Sequence, residues 1–151
     1  MRAFEYFLEE GIVNRQTSNL QRTLSLLLEA DEKKEFLETA LKNIPPAEIK
    51  ANFVVDYCYD IIMELLRAKM FLDGFNAGNS HEAEVSYLKK LGFPESQVVF
   101  MNEIRYFRNG TKYYGTILTK EYAQKVLEFM NKIHPQLKKL FLNLEKRQKG
   151  K

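Results

Sequence analysis

Apolar residues recur every three or four positions along most of the chain, which is the spacing of amphipathic α-helices. One run lies between about Arg15 and Ile44 and places leucines at Leu20, Leu24, Leu27, Leu28, Leu37 and Leu41. A second run fades near Gly74 and contains Phe53, Val54, Tyr57, Cys58, Ile61, Leu65 and Leu66. No segment shows convincing strand alternation, and no internal repeat is present. The pattern therefore predicts an all-α protein.

Glycine and proline divide this pattern at its first boundaries. A short amphipathic piece from Arg2 to Glu10 stops at Gly11. Pro46 suits the first turn of the second long helix, because that position needs no N–H donor.

Capping residues set the later boundaries. Asn79 or Ser80 can cap a short helix that ends at Gly92, with Glu82 completing a capping box on Asn79. The next helix begins at Pro94 and reaches about Tyr114, and Thr119 can cap the last one. Pro135 lies inside that last helix, where it predicts a kink or a restart.

These segments predict a five- or six-helix bundle with mostly antiparallel, up-and-down neighbours. A chain of 151 residues is long enough for one domain with its own core, so we expect a single helical domain over residues 1–151. It ends in a basic tail from about Lys138 to Lys151.

Charge and cysteine content add few constraints. The formal net charge is +3, of which residues 138–151 contribute +5 and the other residues −2. The one cysteine, Cys58, allows no internal disulfide and is expected to be a small core residue. No signal peptide and no apolar run of ~18–20 residues is present, so we expect a soluble, cytoplasmic protein without a membrane partner.

Candidate chemistry is concentrated in "EIRYFRNGTKYYG", residues 103–115. On a helical wheel Arg105, Arg108, Asn109 and Lys112 share one side, flanked by Tyr106 and Tyr113. The apolar side holds Phe100, Ile104, Phe107 and Tyr114. Arginine matches phosphate geometry, and tyrosine can stack on a base or form hydrogen bonds. This helix is thus a candidate anion site, or alternatively a solvated face bordered by tyrosines.

An acidic stripe offers a third possibility. Asp56, Asp60 and Glu64 recur every four residues and therefore share one helix face. They form either a solvated stripe or a set of partners for Arg105 and Arg108. Pairing within one chain would neutralise the proposed anion site.

The remaining chemical candidates are isolated residues. His81, in "SHEAE", is expected to cap or buttress the turn, although in three dimensions it could bring an imidazole to the arginine helix. Two histidines and one cysteine provide no metal-site spacing, and "GFNAGNS" lacks the pattern of a phosphate-binding loop. The sequence accordingly predicts no metal and no cofactor.

The stretch "RNGTKYYG" resembles the signature of HEPN domains, a family named for higher eukaryotes and prokaryotes nucleotide binding. Arg108 and Asn109 match the Arg and the following polar residue of the family pattern, and its histidine falls on Tyr113. The segment "DYCYDIIMELLRAKMFLDGFNAGNSHEAEVSYLKKLG" also resembles the family's second helix and the turn after it. The resemblance covers about residues 56–128.

This resemblance implies a homodimer in which Arg105, Arg108, Asn109, Lys112, Tyr106 and Tyr113 of both subunits line a cleft for a nucleotide or RNA. Active members cleave RNA without metal: a base takes the 2′-hydroxyl proton and Arg stabilises the phosphate charge. Tyr113 replaces that base, and a phenol of pKa near 10 is a weak base at neutral pH. Binding is the main expectation, with Arg108 as phosphate ligand and Arg108, Asn109 and Tyr113 as the catalytic set if active.

Two alternative functions remain open. One is a metal-independent endoribonuclease toxin paired with a nucleotidyltransferase antitoxin, which some family members have as a partner. The other is a structural helical dimer or adaptor without a ligand.

Overall fold

The structure, a computed structural model, describes residues 1–144; residues 145–151 of the predicted basic tail lie outside the described part. The described chain is an all-α bundle, as the periodicity predicts. Its elements are α1 (Phe4–Glu9), β1 (Asn14–Arg15), α2 (Leu20–Asn43), a 3₁₀ turn (Pro46–Glu48), α3 (Ala51–Asp73), β2 (Phe75–Asn76), α4 (His81–Lys90), α5 (Glu95–Tyr113), α6 (Lys120–Lys138) and a second 3₁₀ turn (Lys139–Phe141).

Helix α3 is the centre of the bundle. It packs against α2, α4, α5 and α6, and Ile61, Ile62, Leu65 and Leu66 are fully buried on several sides of it. A helix that is apolar on most of its circumference must be covered on most sides, which explains its central place. Polar residues on α3 consequently face neighbouring helices as well as solvent.

Several predicted boundaries are confirmed by local geometry. Gly74 ends α3 in the left-handed conformation, with φ of 87°. Ser80, rather than Asn79, caps α4 by accepting a hydrogen bond from the Ala83 amide at 3.2 Å, while Glu82 pairs with Arg2 instead of closing a capping box. Thr119 caps α6 by accepting from the Tyr122 amide at 3.1 Å.

Two boundary predictions are wrong, and a third is excluded only in part. Pro46 opens the 3₁₀ turn and not α3, which begins at Ala51. Helix α6 continues through Pro135 to Lys138 without restarting, so of the two predicted effects of Pro135 only a kink stays a prediction. Helix α2 begins at Leu20 and not at Arg15, because residues 14 and 15 form a short antiparallel pair with residues 75 and 76.

This strand pair ties the segment before α2 to the end of α3. Gln16 N–H donates to the Gly74 carbonyl at 2.9 Å, and Asn19 caps α2 by accepting from the Arg22 amide at 3.0 Å. The start of α2 is thereby placed beside the loop that leads into α4.

Cys58 is a core residue, as its apolar neighbours predict. It is fully buried, and burial raises the pKa of its thiol to about 12. In the described part of the chain, no helix combines the length and apolar character needed to cross a membrane.

Candidate functional site

The orientation of α5 decides what its arginines can do. Met101 and Ile104 are fully buried, and they precede Arg108 by seven and four residues, so all three lie on one helix face. The Arg108 side chain is only 14% exposed. The expectation that Arg108 faces away from its own core is therefore wrong: this residue continues the buried stripe of α5 to the edge of the core.

Arg108 meets carboxylates of its own chain. Its Nε lies 3.8 Å from Asp56 Oδ1 and its Nη2 lies 3.7 Å from Asp60 Oδ1, while its guanidinium carbon lies 5.2 Å from the centre of the Tyr59 ring. These nitrogen–oxygen distances are too long for good hydrogen bonds but short enough for charge compensation. The pairing with the acidic stripe is therefore intramolecular, and it neutralises much of the charge of Arg108.

Polar atoms around this pairing are buried without hydrogen bonds to other described residues. They are Arg108 Nε, Asp56 Oδ1 and the Tyr59 hydroxyl. Burial raises the pKa of Asp56, against the opposing effect of Arg108, and burial raises the pKa of Tyr59 to about 12. Ionisation of Tyr59 at neutral pH is thus strongly disfavoured.

The acidic stripe is paired at its other end as well. Glu64 is 6% exposed and binds the ammonium group of Lys33 on α2, which also lies 3.9 Å from Asp60. Asp60 is thus flanked by Lys33 and Arg108. Of the two alternatives for the stripe, pairing within the chain is the one that the structure shows, because α2 and α5 approach α3 from both sides.

The outward side of α5 carries tyrosines instead of arginines. Tyr106 is 70% exposed, Tyr113 66% and Tyr114 84%. Tyr114 was predicted on the apolar side, and that prediction is wrong because α5 ends at Tyr113, so Tyr114 no longer follows the helical phase.

A groove of about 620 Å³ lies among these rings. We call it the tyrosine groove, and its lining residues are Tyr106, Phe107, Asn109, Gly110, Tyr113, Tyr114 and Thr116. The groove has predominantly aromatic walls with one amide, that of Asn109. Such a surface suits the flat face of a base or ring and offers one site for polar recognition.

The loop after α5 forms one wall of the tyrosine groove. Thr116 N–H donates to the Gly110 carbonyl at 3.1 Å, and a Cβ on Gly110 would lie 2.9 Å from the Thr116 hydroxyl. Asn52 on α3 holds the loop from below: its Nδ2 donates to the Thr116 carbonyl and its Oδ1 accepts from the Leu118 amide, both at 2.8 Å. The wall is therefore built into the fold.

Of the other two cations of the predicted site, Lys112 lies beside the groove, whereas Arg105 does not line it. Arg105 Nε donates to Asn102 Oδ1 at 2.9 Å, and the Lys112 ammonium lies 5.8 Å from the Tyr113 ring centre. Neither residue forms an ion pair with any residue among 1–144. The structure thus splits the predicted set: Arg108 is turned inward, whereas Tyr106, Asn109 and Tyr113 line a groove and Lys112 contacts one of its rings.

His81 buttresses the start of α4, as expected. Its Nδ1 lies 2.9 Å from Glu84 Oε1, and its ring meets Tyr59 edge-on at 6.4 Å between centres. Tyr59 thus contacts both His81 and Arg108. Sequence analysis did not identify Tyr59, Glu84 or Arg67. The three-residue spacing of His81 and Glu84 on one helix is a local signal of their contact. The contact of Glu84 with Arg67 has no such signal.

Comparisons with known proteins leave the family open. No protein-family model, curated protein or solved structure matches this chain significantly. Within residues 1–144, no group of three or more histidine, cysteine, aspartate or glutamate side chains is placed to hold a metal ion. The resemblance to HEPN domains stays a prediction.

Proposed function

We propose that this chain is an HEPN-like homodimeric protein that binds single-stranded RNA or a nucleotide in the tyrosine groove. The observation that carries the proposal is the exposure of Tyr106, Tyr113 and Tyr114 around one groove, with Lys112 beside the Tyr113 ring. Bases supply flat rings for stacking, and phosphates supply negative charge, which is the combination that such a surface recognises.

These aromatic rings are informative because most of their surface is exposed and contributes little to the core. Several tyrosines gathered at one groove mark a contact surface, whereas single exposed apolar residues need no explanation. Stacking on such rings contributes about 1–3 kcal/mol per base in single-strand binding proteins. Two tyrosines with moderate stacking would therefore suffice for micromolar binding once phosphate contacts are added.

The phosphate contacts are assigned here to Lys112 and Arg105. Arg108 would have to leave Asp56 and Asp60 before it could bind a phosphate, and it would then lose the electrostatic stabilisation that these two carboxylates provide. For the same reason the endoribonuclease alternative, with or without a nucleotidyltransferase partner, receives no support from Arg108. Catalysis is not part of the proposed function.

Titration with short fluorescent oligonucleotides tests the proposal. We expect binding of single-stranded RNA that weakens with added salt, because phosphate contacts release counterions. Tyr106→Ala with Tyr113→Ala should weaken binding about tenfold or more, from the loss of stacking. Lys112→Gln should weaken binding and flatten the salt dependence. Phe36→Ala is the matched control, since Phe36 is also an exposed aromatic, 55% exposed, but lies on α2.

The same protein variants and RNA distinguish binding from cleavage. Cleavage of RNA in the presence of a chelator that is lost in Arg108→Ala would favour the ribonuclease. Undetectable binding, or equal binding by the tyrosine variants and the Phe36 control, would refute the proposal.

A structural dimer without a ligand is the second candidate function. The neutralisation of Arg108 within one chain favours it, because the predicted cationic cleft loses its central charge. In that case the tyrosines serve to bind a second copy, and RNA leaves the oligomeric state unchanged.

A further inference from the structure

A second pocket lies away from the tyrosine groove, between α2, the end of α3 and the start of α4. Its volume is about 470 Å³, within the range of small-ligand sites. It is lined by Arg22, Arg67, Met70, Phe71, Phe75, Asn76, Ala77, Gly78, Asn79, His81 and Glu84. More than half of these residues are polar, so the pocket suits a polar ligand.

A buried carboxylate organises this pocket. Glu84 is 1% exposed, and Arg67 binds both of its oxygens, through Nε to Oε2 and through Nη2 to Oε1 at 3.0 Å. Because this bidentate contact uses only Nε and Nη2, Nη1 of Arg67 has no acceptor among residues 1–144 and is available to a ligand.

The same carboxylate sets the tautomer of His81. Burial raises the pKa of Glu84, but hydrogen bonds from His81 and Arg67 together hold that pKa below its ordinary value, so Glu84 is ionised at neutral pH. An ionised carboxylate only accepts hydrogen bonds, so His81 Nδ1 must carry a proton and donate it to Glu84. In the neutral ring, Nε2 is then a free acceptor, and the His81 side chain is 42% exposed.

A second arginine lines the pocket without a carboxylate partner. The Arg22 guanidinium lies 4.3 Å above the Phe71 ring and forms no ion pair with a residue in the described range 1–144. Since Glu84 offsets only one of the two arginines, the pocket keeps a net positive charge. Phe71, the ring beside Arg22, is covered by that guanidinium and is not open for stacking by a base.

We propose that this pocket binds a small sugar phosphate. Arg22 and Nη1 of Arg67 hold the phosphate, and Nε2 of His81 accepts a hydrogen bond from a sugar hydroxyl. Asn79 lines the same pocket and supplies an amide for a further hydroxyl group, whereas the Asn76 amide already contacts Gly78 and Gln16. The site is separate from the tyrosine groove and does not depend on the function proposed for it.

Isothermal titration calorimetry with ribose 5-phosphate, inorganic phosphate and ribose tests the site on the full chain. We expect ribose 5-phosphate to bind most tightly, phosphate to bind more weakly, and ribose not to bind detectably, because the charged contacts carry most of the affinity. If neither phosphate compound binds, the proposal is overturned.

Two substitutions locate the binding. Arg22→Gln should weaken the binding of both phosphate compounds about tenfold or more. Arg15→Gln is the matched control, because Arg15 is also exposed and lies over an aromatic ring, Phe75, but does not line the pocket. An equal loss in the two arginine variants would overturn the proposal.

The role of His81 is tested by comparing the affinities for ribose 5-phosphate and inorganic phosphate. His81→Gln should weaken ribose 5-phosphate while leaving inorganic phosphate almost unchanged, a difference that general loosening of α4 would not produce. Tyr106→Ala should leave both affinities unchanged. Loss of sugar phosphate binding in Tyr106→Ala would instead place the ligand in the tyrosine groove and overturn this assignment.

Discussion

Glu84 is a buried charge that the fold compensates from two sides, by Arg67 and by His81. Replacing it by glutamine removes the charge, leaves the half-buried Arg67 without its partner, and should lower the free energy of unfolding by about 3 kcal/mol. Urea denaturation followed by circular dichroism measures this loss. Glu95→Gln is the control, because its side chain is 66% exposed and faces Lys89 at 3.9 Å, and it should change stability by less than about 0.5 kcal/mol. Equal losses in the two variants would contradict the compensated-charge argument.

The pH dependence of this difference follows from the same contacts. The pKa of Glu84 is lower in the folded state than its ordinary value of 4.5. The ionised form therefore stabilises the fold, fully above about pH 4.5, and this contribution is lost as the pH falls further through the folded pKa. We expect the stability difference between wild type and Glu84→Gln to be constant from pH 7 to about pH 5 and to shrink below it. A difference that grows on acidification would contradict this sign.

Arg108 shows how far a single residue can be interpreted from the sequence. Its spacing from Met101 and Ile104 was visible, but the charged character of Arg108 suggested an outward face. What decides its direction is the presence of Asp56 and Asp60 on the helix that α5 packs against. The sequence suggests that these residues can pair, but not that the pairing is within one chain, because that depends on how the two helices are rotated.

At the level of elements, helix boundaries set by neighbouring residues could be predicted. Gly74 ends α3 and Thr119 begins α6, and both act within a few residues. The strand pair of β1 and β2 was not predicted, because two-residue strands carry no periodicity and their partners are about sixty residues apart. The tyrosine groove was predicted only in part, since its wall depends on the contact of Asn52 with the loop after α5.

Gly74 joins three of these elements and can be tested directly. It has φ of +87°, and a Cβ there would lie 2.6 Å from the Gln16 carbonyl oxygen. Gly74→Ala should therefore cost about 3 kcal/mol of stability, from the left-handed conformation and the forced separation of β1 from α3. Gly78→Ala is the matched control: φ is +57° but the space is open, so the cost should be about 1 kcal/mol. Chemical denaturation of both variants measures the difference, and similar losses would show that the Gln16 contact is unimportant.

For the whole molecule, the outward side of α5 is the surface on which the ligand-free dimer, the second candidate function, depends. If a two-fold axis passes near this helix, each tyrosine meets the partner's copy of the same surface, so every substitution acts twice. Tyr106→Glu with Tyr113→Glu would place four carboxylates at such an interface and should raise its dissociation constant about a hundredfold or more. Sedimentation velocity over a range of concentrations should then show a wild-type dimer and a folded, monomeric variant, whereas Phe36→Glu on α2 stays dimeric. A wild-type chain that is monomeric at every concentration, or a dimer disrupted only by Phe36→Glu, would exclude this arrangement.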